Sequence, residues 1–211
     1  QKEMELASEM QSLLFPQEFP NNDKLEIAAS YISNQLVGGD YYDVIALSEN
    51  EMVFCIADVS GKGVSAALLM SNFQAALRVL VTKTNNFNQL IQELNHLIYD
   101  NAKTEKFITA FIAKYNCKTR KLCYINAGHN PPILVQNNVV HFLDKGTTIL
   151  GMFDELPEIN SGEIILQKQS LLLCYTDGVT EQKNTQNEEF GIEKLKQLVK
   201  VNATKEVSLI I

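Results

Sequence analysis

Apolar residues recur along the chain with two different periods, and the change of period organises it. Near the N-terminus, "KEMELASEMQSLLFP" sets Leu6, Met10, Leu13 and Leu14 at helical spacing, and Pro16 ends the run. "KLEIAASYIS" then alternates, with Leu25, Ile27, Ala29 and Tyr31 on one side, which predicts a half-buried strand. "DYYDVIAL" and "EMVFCIA" predict two more strands, joined at the polar turn Ser48-Glu49-Asn50. From Val64 to about Val81 the period becomes helical, with Leu69, Phe73, Ala76, Leu77 and Leu80 on one face. A second helix follows, marked by Phe87, Leu90, Ile91, Leu94, Leu97 and Ile98.

The second half returns to short strands. "FITAFIAKY", "KLCYINAG", "PILVQ", "VVHFL", "EIILQ" and "LLLCYTDG" are separated by turn chemistry such as Asn137-Asn138 and Ser161-Gly162. "GIEKLKQLV" is again helical, with Leu195, Leu198 and Val199 inward. Strands at both ends with two long helices between them predict an α+β fold, with antiparallel sheets and helices on their outer faces. No repeat, low-complexity tract or interdomain linker interrupts the pattern. The division expected is a leading helix over residues 1–18 and one domain over 19–211.

Composition narrows the partners more than the fold. The 211 residues suit a single domain, with 45% hydrophobic and 20% charged residues. A formal charge of −7 argues against nucleic acid, because no basic stripe is available to neutralise phosphates. Cys55, Cys117, Cys123 and Cys174 form no CxxC pair and read as reduced core residues, consistent with a cytoplasmic setting. No continuous apolar run approaches the ~18 residues of a membrane span, and nothing resembles a signal peptide. The chain opens on Gln1 and breaks off in "NATKEVSLII" without a stop signal, so it is expected to be part of a longer protein.

Three aspartates share one grammar. Asp40 follows Gly38-Gly39 and opens a strand, Asp58 closes "MVFCIA", and Asp177 closes "LLLCYT" and precedes Gly178. If these strands are central, their ends converge at one sheet edge. Clustered carboxylates raise one another's pKa unless a cation neutralises them. Oxygen ligands without a His/Cys set point to Mg²⁺ or Mn²⁺ rather than zinc. Glycine beside each aspartate allows close approach of backbone and bound water. The competing reading is that each Asp-Gly pair is simply a turn or a helix cap. "GKG" is not a nucleotide loop, because Ile56 stands where the first glycine is required and Gly63 where Ser or Thr is. His129, in the turn of "NAGHNPPIL", reads as structural, and no His-based triad is evident.

"VGGDYYDV", "IADVSGKGVSAALLMS", "NAGHNPPIL" and "YTDGVTEQKNTQNEEFG" together resemble, in order and spacing, the bacterial SpoIIE/RsbU-type branch of the PP2C-like (PPM) protein phosphatases. "LASEMQSLLFP" is similar to the helix that leads into such domains from an upstream sensor. The resemblance implies an α-β-β-α sandwich of two antiparallel sheets and a dinuclear Mn²⁺ or Mg²⁺ centre. It implies hydrolysis of phosphoserine or phosphothreonine on a protein by a metal-activated water, without a phosphoenzyme. Asp40, Asp58 and Asp177 would be the metal-holding catalytic carboxylates, with Val59 adding its backbone carbonyl, Asp43 a supporting carboxylate, and Gly61 and Gly63 shaping the adjacent loop. The implied substrate is a phosphorylated STAS-domain anti-sigma factor antagonist of a partner-switching pathway. The leading helix could pair with a second copy, and the full-length protein could be tethered to a membrane.

Two departures from the family pattern stand out. The family usually ends on an Asp-Asp-x-Thr segment that completes the metal site, and the chain stops at Ile211 before reaching one. Weak metal binding or inactivity of this stretch by itself is therefore expected. Gly128-His129 stands where larger relatives carry an acidic residue, which puts a third metal in doubt. The alternatives are a non-catalytic PP2C-like binding module, or hydrolysis of a small phosphoester at the same site.

Overall fold

Strand β2 (Glu51–Val59) sits at the centre of the architecture because both of its faces are covered. Val53, Cys55, Ala57 and Val59 point to one side, into a cluster shared with the two long helices. Phe54 and Ile56 point to the other, against a cluster holding Phe111, Leu134 and Leu143. The computed structural model describes residues 2–33, 35–84, 86–102 and 105–210.

Strands β1 (Tyr41–Ala46), β2, β3 (Ile108–Asn116) and β4 (Lys121–Ala127) lie side by side and antiparallel. Short strand β7 (Gly146–Thr147) adds a two-residue parallel pairing to β4, and β8 (Gly162–Ile165) an antiparallel one. The second sheet is β6-β5-β9, built from β5 (Ile133–Gln136), β6 (Val139–Phe142) and β9 (Leu171–Leu173). The β5–β6 hairpin turns through Asn137 and Asn138, both with positive φ (50° and 61°). That is the backbone a two-residue hairpin loop demands, and asparagine tolerates it better than most residues.

Helices α2 (Val64–Lys83) and α3 (Phe87–Ala102) cover the outer face of the first sheet. Met70, Phe73 and Leu77 of α2 are wholly buried there, as are Ile91, Leu94 and Ile98 of α3. Burial of each such side chain contributes about 1.5–3 kcal/mol. Helix α5 (Ile192–Asn202) covers the second sheet through Leu195 and Val199, completing four layers, α-β-β-α. The expected sandwich is present. α2 is also long and apolar enough to pass for a membrane span by length and composition, which the sequence reading did not register. Its buried face accounts for part of that apolarity, while Val64, Leu68 and Val79 are exposed.

The predicted strand in "KLEIAASYIS" does not form: an isolated bridge joins Asn22 and Leu25, and the rest is irregular. Asn21 caps this segment instead, its side chain bonding both the N–H and the C=O of Ile27 (2.7 and 3.1 Å). Alternation alone does not make a strand when no neighbour offers an edge to pair with.

The leading helix α1 (Lys2–Ser12) is docked on one side and open on the other. Gln11, nearly buried, donates from Nε2 to the Gly38 carbonyl (2.7 Å), and its Oε1 accepts from the Gly38 N–H (3.0 Å). Just beyond the helix, Phe15 packs among Tyr31, Tyr41 and Tyr42 with ring centroids 4.7–6.1 Å apart. Leu14 also packs on the core, whereas Leu6, Met10 and Leu13 are exposed. The four apolar positions expected to share one face are therefore divided.

Candidate active site

The register of β1 on β2 decides which side chains meet. Tyr41 is opposite Ala57, so Asp40, one residue before β1, comes level with Asp58. Asp58 in turn is opposite Thr109 on β3. Because side chains alternate across a strand, Asp40 and Asp58 fall on the face that looks toward the second sheet, with Phe54 and Ile56. Asp43 falls on the opposite face. There, under the helices, its buried carboxylate accepts from Arg78 Nε (2.7 Å) and Nη2 (2.9 Å) of α2 and from the Tyr41 hydroxyl. The supporting role expected for Asp43 thus has a definite form: it fastens β1 to α2.

Asp177 arrives from the second sheet, but not as the end of a strand. β9 stops at Leu173, residues 174–176 are irregular, and Asp177 opens the single-turn helix α4 (Asp177–Thr180). Thr176 directly before it donates its hydroxyl to Asp40 Oδ2 at 3.5 Å, spanning the two sheets. The three aspartates nominated from sequence are therefore brought to one edge of the sandwich.

Their electrostatics follow from the proximity. Burial, followed by the charge of Asp177, pushes Asp40 above the ordinary carboxylate range, against hydrogen bonds from Thr176 and Asp58 that pull it down. Asp58 is raised to about 7, first by burial, then by the charges of Asp40 and Asp177, and by its hydrogen bond to Asp40. The pattern is that of two carboxylates sharing one proton, both raised above the ordinary range. Asp40 and Asp58 also help to raise the Tyr31 phenol, after burial, which locates that ring beside the same edge.

The glycines have a neighbour-specific reason. A Cβ on Gly39 would lie 2.7 Å from the Val59 carbonyl oxygen, and one on Gly38 would collide with the Tyr31 hydroxyl. The backbone before Asp40 therefore passes directly over Val59, itself buried. Gly61 and Gly63 have positive φ (93° and 72°) and carry the chain from β2 into α2.

These residues suit a hard divalent cation in their chemistry: oxygen donors, a carbonyl in a glycine-lined crease, and a carboxylate retaining a proton where a cation would replace it. Among the described residues, no three His, Cys, Asp or Glu side chains are drawn together closely enough to form a ready-made cage.

Sequence reasoning missed Thr176, Tyr31, Gln11 and the Asp43–Arg78 pair. Thr176 was legible only as the neighbour of Asp177. Gln11 gave no signal, because a glutamine on a helix ordinarily faces water. His129 was read as structural and is buried; its ring contacts Thr109 Oγ1 (2.9 Å) and the Tyr175 carbonyl (3.2 Å).

Solved structures share this architecture. The SiaA PP2C domain of Pseudomonas aeruginosa superposes with a TM-score of 0.84 over 99% of this chain and 85% of its own, at 16% identity. The PP2C phosphatase domain of SpoIIE from Bacillus subtilis gives 0.70 over 83% of this chain and 52% of its own, at 17% identity. The fold is thus that of PP2C domains. The model of the family Stage II sporulation protein E (SpoIIE) matches residues 48–211, and the chain belongs to that family. Among curated relatives, the phosphoserine phosphatase RsbU of Bacillus subtilis is 30% identical over 85% of this chain and 53% of its own length. The phosphoserine phosphatase RsbP of the same organism is 28% identical over 85% and 45%. The chain spans about half the length of these relatives.

Proposed function

We propose that this chain is the phosphatase domain of a metal-dependent protein serine/threonine phosphatase, cleaving phosphoserine or phosphothreonine by attack of activated water. The observation that carries the reading is the meeting of Asp40 and Asp58 from one sheet with Asp177 from the other, where Asp58 is raised to about 7. Membership of the SpoIIE family and the likeness to two phosphoserine phosphatases support it.

Asp40, Asp58 and Asp177, with the Val59 carbonyl, would hold a pair of Mn²⁺ or Mg²⁺ ions. When bound, these ions supply positive charge that activates water and offsets the charge gathering on the phosphoryl group. The chain's own residues do the rest. Thr176 steadies Asp40 across the inter-sheet gap, and Gly39 allows the backbone carrying Asp40 to lie on Val59. Asp58 gives up its proton near neutral pH, which makes the site receptive to cations in that range. Asp177 is exposed, so the edge is open to a phosphorylated side chain presented by a protein.

The substrate class that fits is a phosphorylated STAS-domain protein of a partner-switching pathway, with an upstream sensor acting through α1. A second copy pairing along the exposed Leu6, Met10 and Leu13 stripe would give a homodimer, and the setting is cytoplasmic. The non-catalytic alternative draws on one observation, the absence of a closed three-ligand cluster among the described residues.

The test is phosphate release from a phosphoserine STAS-domain protein. For the full-length protein the expected result is release with Mn²⁺ or Mg²⁺, none in EDTA, and none from Asp58→Asn. Release that survives EDTA refutes the metal-dependent mechanism. If the full-length protein releases none but still binds the phosphoprotein, the binding-module reading takes its place.

A further inference from the structure

The two carboxylate-bearing layers are joined across their gap by one more buried group, His129, which the proposed chemistry does not use. Its position is set locally. Gly128 has φ +66°, which turns the chain after β4, and the His129 N–H donates to Asn126 Oδ1 at 2.7 Å. Asn126 is itself buried and donates from Nδ2 to the Leu143 carbonyl at 3.2 Å. The backbone under the imidazole is therefore fixed before the ring makes any contact.

The ring then reaches both ways. Nε2 lies 3.2 Å from the Tyr175 carbonyl, which can only accept, so Nε2 carries the hydrogen. In the neutral ring Nδ1 is then an acceptor, and the Thr109 hydroxyl donates to it at 2.9 Å. Thr109 is the residue opposite Asp58 in the β2–β3 register. Tyr175 is two residues before Asp177 and one before Thr176, the partner of Asp40. A planar five-membered ring has no torsion between its two nitrogens, so this link has a fixed length.

We propose that His129 is a positioning residue, a rigid strut that sets how far the Thr176–Asp177 segment stands from Asp58 and so fixes the spacing of the carboxylates that receive a divalent cation. This rests on the metal-dependent reading above. Both ring nitrogens are engaged in the strut, so His129 moves no proton in the reaction. It acts through Thr109 and Tyr175.

Side chains that reproduce one end of the strut separate this role from simple packing. The Gln amide nitrogen stands in for Nε2 and can still donate to the Tyr175 carbonyl, whereas the shorter Asn reaches only as far as Nδ1. Mn²⁺ alone is the probe, with affinity measured by calorimetry and by the Mn²⁺-induced rise in melting temperature, beside the melting temperature in EDTA. The expected result is a loss of tenfold or more in Mn²⁺ affinity for His129→Asn, recovery to within about threefold of wild type for His129→Gln, and an intermediate loss for Thr109→Val. Asn and Gln variants that bind Mn²⁺ equally, or affinities that merely follow the melting temperatures in EDTA, overturn the proposal. Should these variants not fold, the ¹⁵N shifts of the wild-type imidazole decide. A protonated Nε2 with an unprotonated Nδ1 is required, and the opposite tautomer refutes it. Measured on the full-length protein, wild type that binds no Mn²⁺ removes the metal-dependent reading itself, whereas wild type and His129→Asn binding alike remove only the strut.

Discussion

Replacing Asp58 by Asn should stabilise the metal-free protein while abolishing its response to metal. Asp58 titrates near 3.8 as an ordinary aspartate and near 7 in the folded chain. Between those values the unfolded chain sheds a proton that the native state keeps, so stability falls as pH rises through that window and levels off above it. A displacement of this size corresponds to about 4 kcal/mol if fully expressed. Asp58 is only half-buried, and solvent screening reduces the figure to roughly 1–2 kcal/mol. Asparagine mimics the protonated carboxyl, since its amide can donate to Asp40 as the Asp58 proton does. At pH 8 in EDTA the variant should therefore melt about 2–8 °C higher than wild type, taking roughly 2–4 °C per kcal/mol for a chain of this size. At pH 5 the advantage should shrink, because wild-type Asp58 still holds its proton. Adding Mn²⁺ at pH 8 should raise the melting temperature of wild type and leave the variant unmoved. The reasoning is refuted if the variant is no more stable than wild type at pH 8 in EDTA, or if its advantage is the same at both pH values.

Three other substitutions probe the supports of the site. Arg78→Met leaves the Asp43 carboxylate buried with only the Tyr41 hydroxyl and the Val44 N–H as donors and should cost about 3–5 kcal/mol in urea unfolding; Asp43→Asn in the same chain should recover part of that loss. Gln11→Leu removes both bonds to Gly38, which should cost about 1–3 kcal/mol and accelerate hydrogen exchange at the Gly38 amide, whereas unchanged exchange would show that the loop stands without α1. Gly39→Ala should weaken Mn²⁺ binding at least tenfold, because its Cβ would lie 2.7 Å from the Val59 carbonyl, whereas Gly178→Ala, whose nearest neighbour is Thr176 Oγ1 at 3.9 Å, should be tolerated.

The layers were legible in the sequence because they follow from period. The buried faces of α2 and α3 are where the helical period puts them. The three aspartates were legible because a carboxylate at the end of an apolar run is costly without a partner. What escaped has a common physical cause. The segment "KLEIAASYIS" alternates as a strand does, but pairing depends on a neighbour that sequence does not display. Asp177 sits in a helical turn because β9 ends early, at Leu173. Gln11, Arg78, Thr109 and Thr176 act across sequence separations of 27, 35, 20 and 136 residues, distances over which no local pattern carries information.

The alternation along Gly38–Asp43 has one more consequence. Asp40 and Asp43 face opposite layers, one toward the second sheet and the other toward Arg78 under the helices. If β1 slipped by one residue on β2, both carboxylates would change sides: one would enter the apolar helix layer and the other would leave its guanidinium stranded. Six residues thus act as a parity check on assembly. A molecule with its sheet formed but its site miswired violates both layers at once, so correct wiring and folding succeed or fail together.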